Sequence, residues 1–173
     1  MHETMFTRRV KPLTARAIAY LRLWVTTSGL VPRPPYKEAA ATSVPQALLM
    51  LSLTYGAGVK PDELAKMRVN ALLDQMGRPA THVQIAPETT KHKTSRKVPM
   101  HPDVARDVLE FRRHHPLEQW VAFVRFSDGR PASRAMSENA LKEWFRRFYG
   151  QAGLEGLSVR SGSKLFNDLK RRA

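Results

Sequence analysis

Residues 51–69 read LSLTYGAGVKPDELAKMRV, and the change of character along this run sets the expected fold. Its first half completes an apolar stretch, QALLMLSLTYGAG (residues 46–58), long enough for a helix buried on all sides. Gly56 and Gly58 are expected to stop that helix. Pro61 then stands where a first helical turn tolerates a missing N–H. Asp62 and Glu63 put negative charge at the start of a second, short helix, as the aligned peptide dipoles favour.

Toward the N-terminus, residues 13–28 form an expected amphipathic helix. Thr14 can cap it, and Ile18, Leu21, Trp24 and Val25 recur at three- and four-residue spacing. Gly29 ends it. Residues 31–45, VPRPPYKEAAATSVP, hold four prolines that remove backbone donors and favour extended chain, so a linker or irregular surface loop is expected. Beyond Met67 the pattern turns to short β-type runs: VNALLD, THVQIAP and RKVPM, with turn material at residues 75–79. A three-stranded antiparallel sheet is expected, with a basic hairpin at residues 90–97 between its second and third strands. Residues 101–115 return to helix with Val104, Val108, Leu109 and Phe111 as the apolar stripe, and His114 and His115 as its exposed end. VAFVRFSDGRP is a short extended piece turning at Asp128 and Gly129. SENALKEWFRRFYGQAG is a helix capped by Ser137, with Leu141, Trp144, Phe145 and Phe148 inward, and SVRSGSKLFNDLKRRA opens a last one. The fold class is therefore α+β and mostly helical. Residues 1–12 are a basic arm and residues 13–173 one domain. There is no repeat and no low-complexity segment.

Lys and Arg number 29 against 15 Asp and Glu, a net charge of +14. An excess of this size repels itself in a compact chain and points to a polyanionic partner, nucleic acid first and an anionic membrane surface second. No cysteine is present, which excludes disulfides and thiolate metal sites. The six histidines are scattered without ligand spacing, so no metal or cofactor is expected. No apolar run approaches the ~20 residues of a membrane span, and the start of the chain leads into no signal-type apolar region. A cytoplasmic, nucleoid-associated setting is expected.

The order of elements and several local phrases resemble the catalytic domain of tyrosine recombinases, the phage-integrase family, across about residues 13–173. The opening run looks like that family's first box, roughly Thr-Gly-Leu-Arg-x-x-Glu-Leu. Aligned on Glu63 and Leu64, the resemblance sets the family's first catalytic Arg on Lys60. The run KHKTSRKVPMHP is similar to the family's basic hairpin and sets its catalytic Lys on Lys91. LSVRSGSKLF matches the His-x-x-Arg box in part: Arg160 takes the Arg position and Leu157 stands where His is expected. The sequence given holds neither a separate N-terminal domain before Leu13 nor a nucleophile segment after the second box. Tyr20, Tyr36, Tyr55 and Tyr149 all precede that box.

The resemblance implies attack of a Tyr hydroxyl on a DNA phosphodiester, with two Arg forks holding the non-bridging oxygens, a hairpin Lys as acid and a His assisting. Lys60 keeps a charge but loses the fork, and Leu157 can handle no proton. The sequence therefore predicts phosphate binding without strand cleavage, through Lys60, Lys91, Lys93, Arg96, Lys97 and Arg160. The hairpin charges, His92 among them, would also serve merely to deter edge-to-edge strand pairing. Lys164, Lys170, Arg171 and Arg172 on the last helix are favoured by its dipole whatever the function, and Arg8, Arg9 and Lys11 make a short arm. Glu63 reads as a helix-start acid, and the resemblance adds a part in orienting a nearby basic residue. Three functions remain open: a DNA-binding, cleavage-silent protein associated with integration of a mobile element; a fragment of an active recombinase whose Tyr is truncated or supplied in trans; and a module docking on a full-length recombinase or on a second copy of itself.

Overall fold

The computed structural model describes residues 9–85, 95–128 and 133–172. Its helices are α1 (Ala15–Ser28), α2 (Val44–Ala57), α3 (Pro61–Ala65), α4 (Pro102–His114), α5 (Glu138–Gln151) and α6 (Val159–Arg172). Two antiparallel ribbons accompany them: β1 (His82–Ile85) with β2 (Arg96–Pro99), and β3 (Phe123–Val124) with β4 (Arg134–Ala135). The architecture is α+β and mostly helical, as the periodicity implied.

The predominantly apolar sequence of α2 makes it the central helix. Leu49, Met50, Leu51 and Leu53 are fully buried, and α4 and α6 pack along it. Ser43 opens it by accepting the Gln46 N–H at 3.2 Å. Gly56 does not stop it. The helix runs on to Ala57 and closes at Gly58, whose φ of +66° is the left-handed conformation glycine adopts without strain. Gly56 instead makes room for α4, because a Cβ there would stand 3.0 Å from His101 Cβ and from Val104 Cγ2.

On α5, Trp144, Phe145, Phe148 and Tyr149 form the aromatic part of the core, with Trp144 and Phe148 stacked at 4.9 Å. The Trp144 indole N–H donates to Pro32 O at 2.9 Å. Ala40 N–H reaches Arg125 O and Ser127 N–H reaches Glu38 O, each at 2.8 Å. The proline-rich stretch is thus fastened to the core rather than acting as a free linker.

Three other expectations need correction. VNALLD is not a strand. Val69–Ala71 form one 3-10 turn, and Leu73 makes only an isolated bridge to Pro79. Pro79 has no N–H to extend a ladder, and the Asp74 carboxylate gathers the Met76 and Arg78 N–H groups at 2.8 and 2.9 Å into a turn. The sheet at this place is two-stranded among the described residues. On α4, Leu109 is exposed and Asp107 occupies the buried face. His115 is half-buried: its Nε2 lies 2.7 Å from Ser43 Oγ, between the rings of Phe111 and Phe123. Burial, helped by the Arg125 charge, holds this imidazole below its ordinary pKa. Among the described residues no helix is long and apolar enough to cross a membrane, and no cluster of His, Asp or Glu could hold a metal ion.

Candidate nucleic-acid interface

The turn from α2 into α3 is built by Gly58, Lys60 and Glu63. Gly58 reverses the chain, and the Lys60 N–H donates to Glu63 Oε1 at 3.0 Å, the acid satisfying an otherwise orphaned donor at the helix start. Glu63 is only 2% exposed and needs a cation. Arg96 supplies it from β2: its Nη2 lies 2.7 Å from Glu63 Oε1 and donates to Gly58 O at 3.0 Å. The register explains this reach. Val83 pairs with Val98 and Ile85 with Arg96, so Arg96 lies on the inward face, while Lys97, opposite Gln84, stands on the outward one. Arg96 was expected among the phosphate-binding cations, and one of its guanidinium nitrogens is committed to the turn. Replacing Arg96 by Leu should cost about 2 kcal/mol in urea unfolding, because Glu63 is left buried with only the Lys60 N–H to satisfy it.

The second part of the site is the start of α6. Leu157 is buried in the core immediately before it. Ser158 N–H donates to Ser161 Oγ at 2.9 Å, and Arg160 N–H to Ser158 Oγ at 3.3 Å, so the first turn closes on its own serines. The Arg160 side chain is exposed and has no hydrogen-bond or ion-pair partner among the described residues. Two contacts fix the helix beneath it. Leu13 N–H donates to Ser161 O at 3.0 Å, and Gly162 lies directly against Thr54 of α2. Further along, the Phe166 ring lies on Gly58, so α6 crosses the α2–α3 turn six residues, about 9 Å of helix axis, beyond Arg160.

The structure therefore unites Lys60, Glu63, Gly58 and Arg96 in one turn, with α6 packed on it, and it leaves Lys60, Lys97 and Arg160 exposed without carboxylate partners among the described residues. No hydrogen bond links Arg160 to Lys60 or Arg96. Lys91, His92 and Lys93 lie outside the described residues, as does Arg8. Leu157, expected to stand in place of a His, is buried hydrocarbon. The tyrosine hydroxyls are engaged or enclosed: Tyr20 donates to Ala152 O at 3.0 Å, Tyr36 bonds Ser137, Tyr55 donates to Asp103 at 2.6 Å, and Tyr149 is fully buried.

Sequence reasoning missed a polar chain behind this face. Arg22 on α1 grips Asp107 on α4 with both nitrogens, at 2.8 and 2.6 Å, and touches the Tyr55 hydroxyl at 3.3 Å. Burial acts to lower the Arg22 pKa, but the hydrogen bond and charge of Asp107 outweigh it and raise it. Burial, then the bond to Asp103, raises that of Tyr55. The signal was present: Val104, Asp107, Val108 and Phe111 have better helical spacing than the stripe with Leu109, and an acid on such a stripe announces a partner.

No family model and no curated protein matches the chain. Solved structures do share its fold. The crystal structure of a lambda integrase dimer bound to a COC′ core site matches with a TM-score of 0.58 and 16% identity, covering 95% of this chain and 41% of that one. The integrase from mycobacterium phage Brujita matches with a TM-score of 0.53 and 16% identity, covering 88% of this chain and 55% of that one. The chain spans about half or less of each, and its fold is integrase-like.

Proposed function

We propose that this chain binds double-stranded DNA through Lys60, Lys97 and Arg160, extended by Lys91, Lys93 and the uncommitted edge of Arg96, and that it does so without cleaving the strand. The carrying observation is the imbalance of pairing. Most described carboxylates are spent in ion pairs, such as Glu110 with Arg113 and Glu143 with Arg146 and Arg147, while the three exposed cations of the site have none among the described residues. Their surplus suits a duplex, which carries one negative charge per ~1.7 Å of axis. The integrase-like fold supports a part in integration or recombination of a mobile element, and one similar structure is an integrase dimer bound to a core site. A silent site is supported by the Lys at position 60, the buried Leu157 and the engagement of the tyrosine hydroxyls.

Salt dependence tests the binding. Six phosphate contacts at about 0.9 counterions each give a slope of log affinity against log salt of about −5, or ~10³-fold weakening from about 50 to about 200 mM. Arg160→Ala should weaken binding evenly across sequences and reduce that slope by about 1. An affinity indifferent to salt overturns the reading. A suicide duplex should trap no covalent protein, and an adduct would instead establish the recombinase-fragment alternative.

A further inference from the structure

A cleft of about 900 Å³ opens between α1 and α6, floored by the end of α2 and by the chain from β2 into α4. Its size is at the upper end of the ~300–1,000 Å³ typical of binding pockets, and none of the cations assigned to DNA except Lys97 lines it. We infer that this cleft docks an acidic, amphipathic helix from a partner protein. The inference goes beyond DNA binding and does not depend on it.

The walls set the shape of the occupant. Ala15, Ile18 and Ala19 line the α1 side, and Leu165, Phe166 and Leu169 the α6 side. Leu169 is 55% exposed, although its spacing from Leu165 and Phe166 continues the apolar stripe of an otherwise polar helix. Ala15 and Ala19 let a backbone approach closely, while Ile18 and Leu169 offer apolar contact. The α1 wall runs from Ala15 to Arg22, about 10 Å, which is two turns of a facing helix. An added strand fits poorly. Among the described residues the only strand in the wall is β2, and its Pro99 has no N–H to donate.

The rim sets the charge. Lys97, Arg106 and Lys170 stand around the cleft. The one carboxylate in the lining among the described residues, Asp103, is tied to the Tyr55 hydroxyl at 2.6 Å and to Arg106 at 3.0 Å. An apolar floor inside a cationic rim matches an apolar stripe flanked by Glu or Asp. Duplex DNA has no apolar surface to bury there. A second copy is disfavoured, because the acids on its long helices α4, α5 and α6 are already paired, among them Glu110 with Arg113, Glu143 with Arg146 and Asp168 with Lys164, and two chains of +14 repel.

The test uses the full chain and three synthetic peptides, each about three helical turns long: one with leucines on one face flanked by Glu, one with the same leucines flanked by Lys, and one with the leucines replaced by Ser. The Glu-flanked peptide should bind at least about tenfold more tightly than either control. Leu169→Ser should weaken it about tenfold while leaving duplex affinity unchanged, since it removes apolar contact without altering charge. Equal binding of the three peptides overturns the inference. So does a concentration-dependent dimer that Leu169→Ser abolishes.

Discussion

Replacing Gly162 by Ala is expected to separate α6 from α2 and to lower the urea midpoint more than any other single methyl added to this chain. Alanine is the better helix former by ~1 kcal/mol, so propensity alone predicts a gain. Contact decides the opposite sign. A Cβ at position 162 would overlap the Thr54 hydroxyl oxygen and stand 2.5 Å from Thr54 Cβ and 2.9 Å from its carbonyl carbon. The hydroxyl cannot simply turn away without giving up its 2.6 Å bond to Leu51 O, and the backbone carbon cannot move without moving α2. Overpacking of a filled core costs ~1–3 kcal/mol, and a clash with backbone belongs at or above the top of that range. We expect a net loss of about 3 kcal/mol or more. Thr54→Ala in the same chain should return only part of it, because the carbonyl contact remains. Since Arg160 rides on this helix, the variant should also bind DNA more weakly under conditions where it stays folded. Unchanged stability would mean that α6 is not seated on α2 as described.

That contact was invisible in the sequence, and the reason is general. A helical periodicity reports which residues face inward, and it correctly set Leu21 and Val25 of α1, and Leu141, Trp144, Phe145 and Phe148 of α5, in the core. It does not report how closely two backbones approach, so nothing distinguished Gly162 from a glycine tolerated by accident. Short apolar runs were the other blind spot. VNALLD buries Val69 and Leu72, three residues apart, the spacing at which a 3-10 turn sets two side chains on one face and a strand would send them to opposite ones. At the site, the outward placement of Lys97 followed from strand alternation once the register was known. The inward placement of Arg96 depended on Glu63, an acid whose burial required a cation from elsewhere in the chain.

Arg22→Met should be comparably damaging, by a different physical route. Asp107 is 3% exposed and Arg22 16%, so the pair is largely withdrawn from water. Removing the guanidinium leaves a carboxylate buried against α4 with no cation, a loss of about 3–5 kcal/mol in typical buried pairs. The same reasoning predicts recovery. Arg22→Met combined with Asp107→Leu replaces two desolvated charges by packed hydrocarbon, and such exchanges are often neutral or favourable by ~1–4 kcal/mol. The double variant should therefore regain most of the stability that the single one loses. A pH series separates this account from a mere packing defect. Burial works to raise the Asp103 carboxyl, but the Tyr55 hydroxyl and the Arg22 charge outweigh it and hold the group below its ordinary value. A depressed carboxyl contributes stability that is present above its unfolded pKa, near 4, and is lost as pH falls through the folded one. Wild-type protein should lose stability below about pH 4, and Arg22→Met should show a smaller acid-dependent loss because one of the charges depressing Asp103 is gone. If the double variant were no more stable than Arg22→Met, the cost would lie in lost shape rather than in a stranded charge, and the polar chain from α1 to α4 would be packing that happens to be ionic.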